Sequence, residues 1–265
     1  MSGMDDCVIA GGAQSMSFVP MGGWRITPNA KYAQSNPDWY WNMGLTAEAV
    51  AKEFKISRED QDQFAYESHQ KAIHANNSGL FENEIVPIST VDDSYSVKSN
   101  EYIKNTNLVS KDEGPREDTS IEVLAKLRTV FAQDGSVTAG NSSQMSDAAA
   151  AVLVASEEAV EKYNLTPKAE FMGFSVAGVP AEIMGIGPVK AVPKVLSSLG
   201  LGLDEIGWIE LNEAFAAQSL AVIKELKLDP EKVNPLGGAI ALGHPLGATG
   251  AIRVATLVSA MQREK

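Results

Sequence analysis

At 265 residues the chain is long enough for one large domain or two ordinary ones, and its 44% hydrophobic and 21% charged content suits a globular protein with a substantial core. A net charge of −12, from 34 acidic against 22 basic residues with no basic stripe, argues against nucleic acid as a partner. No apolar run is long enough to cross a bilayer, nothing at the amino end resembles a signal peptide, and one cysteine excludes an internal disulfide framework; a cytoplasmic location without membrane contact is the expectation.

In chain order, Cys7–Ala10 reads as a short buried strand ending in the Gly11-Gly12 turn, with too few residues before Asp5 for a preceding element. Cys7 would then be a buried, inert thiol, since Asp5 and Asp6 beside it disfavour a thiolate. Residues 13–45, rich in Met, Trp, Pro and Asn, show no sustained period and predict a long irregular loop. Thr46 caps a helix to Phe54, and Ser57 with Asp60 forms a capping signal for a second helix towards Asn76, ended by Gly79. Residues 80–118 are mixed and polar, with a strand over 84–88. Thr119 or Ser120 caps a helix presenting Ile121, Leu124, Leu127 and Phe131 on one face.

Ser136–Asn141 predicts a strand running into a turn, and 147–163 an Ala-rich helix buried between layers. A strand is expected over 169–174. Pro188 opens a further helix, in which Pro193 either kinks the segment or moves its start later. Trp208–Leu211 predicts a strand leading directly into a helix over 213–227. A glycine-rich stretch follows, then a helix from Ala251 to the end. This alternation points to α/β architecture with layered sheets.

Three stretches could carry chemistry. Gly237 to Gly250 holds His244 among glycines that let backbone approach a ligand closely, yet a tight structural crossover explains it as well. A phosphate-binding loop is excluded there, because the Gly-Lys-Ser/Thr ending is missing. Asn212-Glu213 follows an apolar strand, where α/β sheets bind ligands; simple helix capping by Asn212 is the alternative. Val137–Gln144 is small and hydroxyl-rich at another strand end, readable as turn or ligand contact. Metal ligation is not expected: His69 and His74 are five apart, and no acidic loop has calcium spacing. An anionic ligand would need local positive charge, and Lys104, Lys111 and Arg116 offer one place for it.

Together, Ala10-Gly11-Gly12 with Ser15-Met16-Ser17, Asn42-Met43-Gly44, Val137-Thr138-Ala139-Gly140-Asn141, Asn212-Glu213-Ala214-Phe215 and Gly243-His244-Pro245-x-Gly247-x-x-Gly250 resemble the thiolase family along the whole chain. The resemblance implies a layered αβαβα fold with an inserted loop domain, here incomplete at both ends. It divides the chain into 1–16 with 135–165 as part of the amino-terminal half, 17–134 as the loop domain, and 166–265 as the carboxyl-terminal half. It implies an acetyl-CoA C-acyltransferase cleaving 3-ketoacyl-CoA to acetyl-CoA and a shortened acyl-CoA, or the reverse condensation, in fatty acid beta-oxidation.

In that chemistry a cysteine attacks the keto carbon and coenzyme A collects the acyl group, so coenzyme A is a substrate and no cofactor is implied. The position of His244 activates the nucleophile and also donates to an oxyanion hole; Asn212 matches the residue that holds a water in the hole stabilising the acetyl-CoA enolate. Met43, Arg116, Ala139, Ser143, Met184, Ala214 and Phe215 match positions lining the coenzyme A tunnel. Asn42 stands where short-chain biosynthetic members have histidine, which tilts the sequence towards the degradative type. Homodimers or homotetramers are the implied assemblies.

Neither of the family's two catalytic cysteines is found in this sequence: one would lie before it, the other beyond the last helix. Cys7 sits in the wrong context for either. The chain alone is therefore expected to be inactive, and a second reading is a non-catalytic acyl-CoA-binding or oligomerising remnant. A ketoacyl synthase would share the fold class, but Asn212-Glu213-Ala214-Phe215 favours the thiolase pattern.

Overall fold

The computed structural model describes residue 3 and residues 5–264, so the outermost positions of the expected amino-terminal strand region and last helix lie outside the described residues. Strand β1 spans Cys7–Ser15, longer than the sequence suggests, because its pairing carries it through the two glycines. After an irregular segment come helix α1 (Ala30–Ser35) and a 3-10 turn at Pro37–Tyr40, which break the expected long loop. Helix α2 (Met43–Phe54) starts four residues earlier than predicted. Asn42, not Thr46, caps it by accepting from Leu45 N–H at 3.0 Å. Helix α3 (Arg58–Asn77) carries the expected Ser57–Asp60 capping box, and Gly79 follows in left-handed backbone.

The strand expected over 84–88 begins only at Ile88. There β2 (Ile88–Ser96) and β3 (Glu101–Val109) form an antiparallel hairpin with Tyr95 opposite Tyr102. Helix α4 (Ile121–Ala125) is capped by Ser120 and ends before Leu127 and Phe131, so these two pack from the loop that follows it. In place of a strand over 136–141 there is a single bridge, Thr129 to Thr138, and a 3-10 turn at Ala139–Asn141.

The largest departure is at 147–163. Strand β4 (Asp147–Ala155) pairs antiparallel with β1, from Cys7 opposite Ala155 to Ser15 opposite Asp147; only the short helix α5 (Glu157–Lys162) follows. Alanine favours helix intrinsically, but nine paired positions against β1 and one covered face outweigh that preference. Residues 169–174 form no strand and leave Phe171 and Phe174 exposed. Helix α6 (Gly187–Leu199) has Pro188 in its first turn and contains Pro193. The expected strand at 208–211 is one parallel bridge, Ile209 to Val233. Helix α7 (Ala216–Leu226) starts three residues late, since Asn212–Phe215 stays outside the helix, where Ala214 and Phe215 meet Ser143 and Ser142. A four-residue helix α8 (Ala239–Leu242) and the long α9 (Thr249–Arg263) complete the chain.

Helix α7 is the packing centre. Its Ala216, Ala217, Ala221 and Val222 are at most 1% exposed, and small side chains let α2, α3 and the 3-10 turn at Ala181–Ile186 approach closely. Burying Val222 alone contributes about 1.5–3 kcal/mol. Helix α9 covers one face of the β1–β4 pair, where Gly12 abuts the Gly247 carbonyl so tightly that a β-carbon would overlap it. The other face is uncovered: Ile9 opposite Leu153 is 75% and 56% exposed. Cys7 is therefore exposed rather than buried, because its end of β1 lies beyond the cover of the Gly247 contact.

Candidate active site

Three segments far apart in sequence meet beside the N-terminus of α7. The first is 136–143. The Glu48 carboxylate on α2 accepts from Ser136 N–H and Val137 N–H, both at 2.9 Å. Asn141 donates to Asp62 on α3 at 3.0 Å, and Asp62 in turn pairs with Arg58 at 2.7 Å. So fixed, the segment pairs with the second: Ser142 bridges Phe215, and Ser143 N–H donates to the Ala214 carbonyl at 2.9 Å.

The second segment is Leu211–Phe215. The Asn234 side chain acts as a substitute strand, accepting from Leu211 N–H at 2.8 Å and donating to Leu211 C=O at 2.7 Å. Glu213, only 2% exposed, accepts from Ser68 Oγ (2.7 Å), Asn234 Nδ2 (2.8 Å) and Ile240 N–H (3.2 Å). A buried carboxylate so satisfied is a tether, tying this segment to α3 and to the third segment.

The third segment is the glycine-rich 237–250. Gly243 adopts φ +93, open to glycine alone at low cost, and a β-carbon there would collide with Ser146. His244 N–H donates to the Gln144 carbonyl at 3.2 Å. The Gln144 side chain donates back to the Ile240, Ala241 and Gly114 carbonyls at 3.0, 3.2 and 2.8 Å. The imidazole is half-buried, with Nε2 3.3 Å from Asn212 Nδ2 and Nδ1 2.7 Å from Thr249 Oγ1. Burial, and secondarily the charge of Arg253, pushes its pKa below the ordinary value, so it rests neutral. Asn212 Oδ1 is buried and has no hydrogen-bond partner among the described residues.

The structure thus brings His244, Asn212, Ser143, Ala214 and Phe215 together. Met43 joins indirectly: it opens α2 beside Gly44, over which the Phe131 ring lies, and Phe131 meets Phe215 edge-on at 6.0 Å. Met184 is 49% exposed on the 3-10 turn whose Gly185 rests on Gln218; Gln218 donates to Asn212 C=O at 3.3 Å. Ala139 is exposed in the turn before Ser142. Arg116 has an exposed side chain, while its backbone N–H donates to His69 Nδ1 at 3.2 Å. Its loop reaches the third segment through Gly114, which lies against Ala241.

Thr249, Gln144, Ser68 and Asn234 are contacts that sequence reasoning does not single out. The first two stand inside stretches already marked by glycine or hydroxyl density; nothing local marks the others. One cavity of about 210 Å³ is lined by residues such as Trp208 and Val222, and one of about 400 Å³ by residues such as Lys55, Phe64 and Lys224 together with the tether residues Ser68 and Glu213. His244 and Asn212 line neither.

The comparisons with known proteins agree among themselves. The family model for the thiolase N-terminal domain matches residues 1–158, and that for the thiolase C-terminal domain matches 165–265. A 3-ketoacyl-CoA thiolase of Bacillus subtilis is 49% identical over 263 residues, covering 99% of this chain and 67% of the relative. The human peroxisomal 3-ketoacyl-CoA thiolase is 45% identical, with 99% of this chain and 61% of the relative covered. The dimeric peroxisomal thiolase of Saccharomyces cerevisiae superposes with a TM-score of 0.85 at 43% identity, over 97% of this chain and 63% of that one. Human mitochondrial 3-ketoacyl-CoA thiolase in complex with CoA gives 0.84 at 40% identity, over 99% and 66%. The chain spans about two thirds of the length of the relatives it matches.

Proposed function

Because the chain belongs to the thiolase family and has its fold, we propose that it supplies the base and an oxyanion donor for thiolytic cleavage of 3-ketoacyl-CoA in the whole protein. The observation that carries this is the approach of His244 Nε2 to Asn212 Nδ2 at 3.3 Å, in a desolvated corner built by three separate segments. A neutral imidazole there can take the proton of a cysteine thiol as its sulfur attacks the keto carbon. The carbon–carbon bond then breaks, leaving an acyl-enzyme and the enolate of acetyl-CoA, which is protonated. Coenzyme A thiol next takes the acyl group and returns the cysteine. Asn212, a neutral donor in a half-buried setting, suits the charge that develops on the thioester oxygen.

Arg116, Met43, Ala139, Ser143, Met184, Ala214 and Phe215 are proposed to line the path of coenzyme A. Their arrangement around the Ser142–Phe215 bridge supports five of the seven most directly: Ser143, Ala214 and Phe215 by pairing, Met43 through Phe131, and Met184 through Gln218. The same reading assigns αβαβα layering, with 17–134 as an inserted loop region between 1–16 with 135–165 and 166–265. It also assigns beta-oxidation as the setting, homodimers or homotetramers as the assembly, and the cytoplasm as the location. Among the described residues no helix is long and apolar enough to cross a membrane.

Cys7 is not the proposed nucleophile. It lies five residues along β1 from Gly12, the residue that touches the His244 loop, which in extended chain is roughly 17 Å. The second reading, an acyl-CoA-binding or oligomerising remnant, rests on that separation, since Cys7 is the single cysteine. Purified 1–265 is expected to show no thiolysis of acetoacetyl-CoA, while still binding coenzyme A. Turnover that iodoacetamide abolishes, and that Cys7→Ala also abolishes, would make Cys7 the nucleophile and overturn this assignment.

A further inference from the structure

The Thr249 hydroxyl has one proton and two polar neighbours. Pro245 C=O lies at 2.8 Å and His244 Nδ1 at 2.7 Å. A carbonyl oxygen only accepts, so the hydroxyl proton goes to Pro245 and an oxygen lone pair is left facing Nδ1. Nδ1 must then carry a proton to donate. A neutral imidazole has only one N–H, so Nε2 is bare. The opposite side of the ring gives the same answer independently: the amide nitrogen of Asn212 can only donate, and at 3.3 Å it faces Nε2.

We propose that Thr249 is a positioning residue that fixes His244 as its Nδ1–H tautomer, leaving Nε2 as the proton-accepting atom beside Asn212. The catalytic consequence rests on the thiolytic reading given above; the tautomer does not. Thr249 is well placed to hold it. It is 7% exposed, opens α9, and its backbone N–H also donates to Pro245 C=O at 2.9 Å, so its side chain has little freedom to turn away. Were Nδ1 bare, Thr249 would have to abandon Pro245 to serve it, and Asn212 would present N–H to N–H. When Nε2 gains a proton, the Nδ1–Thr249–Pro245 chain keeps every donor and acceptor in place. The ring then becomes an Nε2–H donor with nothing changed on its Nδ1 side, and only the Asn212 amide has to turn, bringing its unpartnered Oδ1 towards the new N–H.

The test is solid-state ¹⁵N spectroscopy of the 265-residue chain labelled at histidine, a method that tolerates oligomers. Its three histidines are separated by a His244→Asn comparison. The expected result is a protonated Nδ1 and bare Nε2 at His244, retained in Thr249→Ser. Thr249→Val is expected to lose the Nδ1–H signal in favour of Nε2–H or a mixture. A wild-type His244 protonated on Nε2 overturns the proposal whatever the variants do. So does an unchanged tautomer in Thr249→Val when the His69 and His74 signals match wild type. If the valine variant disturbs those two signals, its fold has changed, and the wild-type and serine spectra decide. In the whole enzyme, Thr249→Val should lower kcat with KM little changed, and Thr249→Ser should restore it. Absence of any turnover in the whole enzyme would remove the thiolytic reading, and the spectra would still decide the role of Thr249.

Discussion

His69 is 3% exposed and accepts the Arg116 backbone N–H on Nδ1, a bond available only to neutral imidazole. Burial first, and the Arg116 charge second, lower its pKa from 6.5 to about 4, with Asp118 opposing. The unfolded chain therefore binds a proton as pH falls below 6.5, and the folded chain does so only near 4. Stability attributable to this residue is whole above 6.5 and is lost as pH falls from 6.5 to about 4, at up to about 1.4 kcal/mol per pH unit. Glu84 runs the other way. Burial raises it to about 7, so its contribution is whole below 4.5 and is lost as pH rises through 7. Urea unfolding of wild type and His69→Asn across pH 4 to 7 separates the two: the difference between them should shrink as pH falls. Parallel curves would show that His69 is not the group responsible.

Arg116, whose backbone N–H rests on His69, is proposed to meet the nucleotide of coenzyme A. Asp112, Glu113, Glu117 and Asp118 surround it in sequence, so the site attracts an anion only if they point away. Arg116→Glu in the whole enzyme is expected to raise KM for coenzyme A substrates several-fold, with kcat little changed, the mark of binding lost equally in ground and transition states. The loss should shrink with substrates that carry only the pantetheine arm. Equal losses with both would place Arg116 away from the nucleotide.

Among elements, those whose local signals agree with their packing are legible from sequence. The Ser57–Asp60 box starts α3 where expected, and Pro188 lies in the first turn of α6. The misses share one cause: a partner distant in sequence decides the outcome. Residues 147–155 are alanine-rich and read as helix, yet pairing with β1 makes them a strand whose inward positions alternate. Segments 136–141 and 208–211 read as strands. Their hydrogen bonds instead go to Glu48 on α2 and to Asn234, so each has only a single bridge. The candidate site is legible in its principal residues because His244 and Asn212 sit in unusual local sequence. Its tethers are not: Ser68 and Asn234 look like ordinary helix and turn residues until Glu213 is seen between them.

At the scale of the whole molecule, cover is uneven. The core around α7 is closed, while Ile9 and Leu153 on the β1–β4 pair, and Phe171, Met172 and Phe174 in the segment after α5, are all more than half exposed. Apolar strand faces of this kind bind dye and one another. The isolated chain is expected to enhance fluorescence of a hydrophobic dye strongly and to self-associate with concentration, and Ile9→Lys with Leu153→Glu should reduce both. A monodisperse sample with no dye response would contradict the exposure of that face.

His244 is the residue to which the chemistry is assigned, with the nucleophile coming from a cysteine other than Cys7. The direct measurement is thiolysis of acetoacetyl-CoA by a chimera in which this chain carries the additional terminal segments of its Bacillus subtilis relative, compared with the same chimera bearing His244→Ala or Cys7→Ala. The expected result is turnover in the chimera, a loss of about 10²–10⁴-fold in kcat with His244→Ala, and no loss with Cys7→Ala. Full activity without His244, or activity that disappears with Cys7, would contradict that assignment.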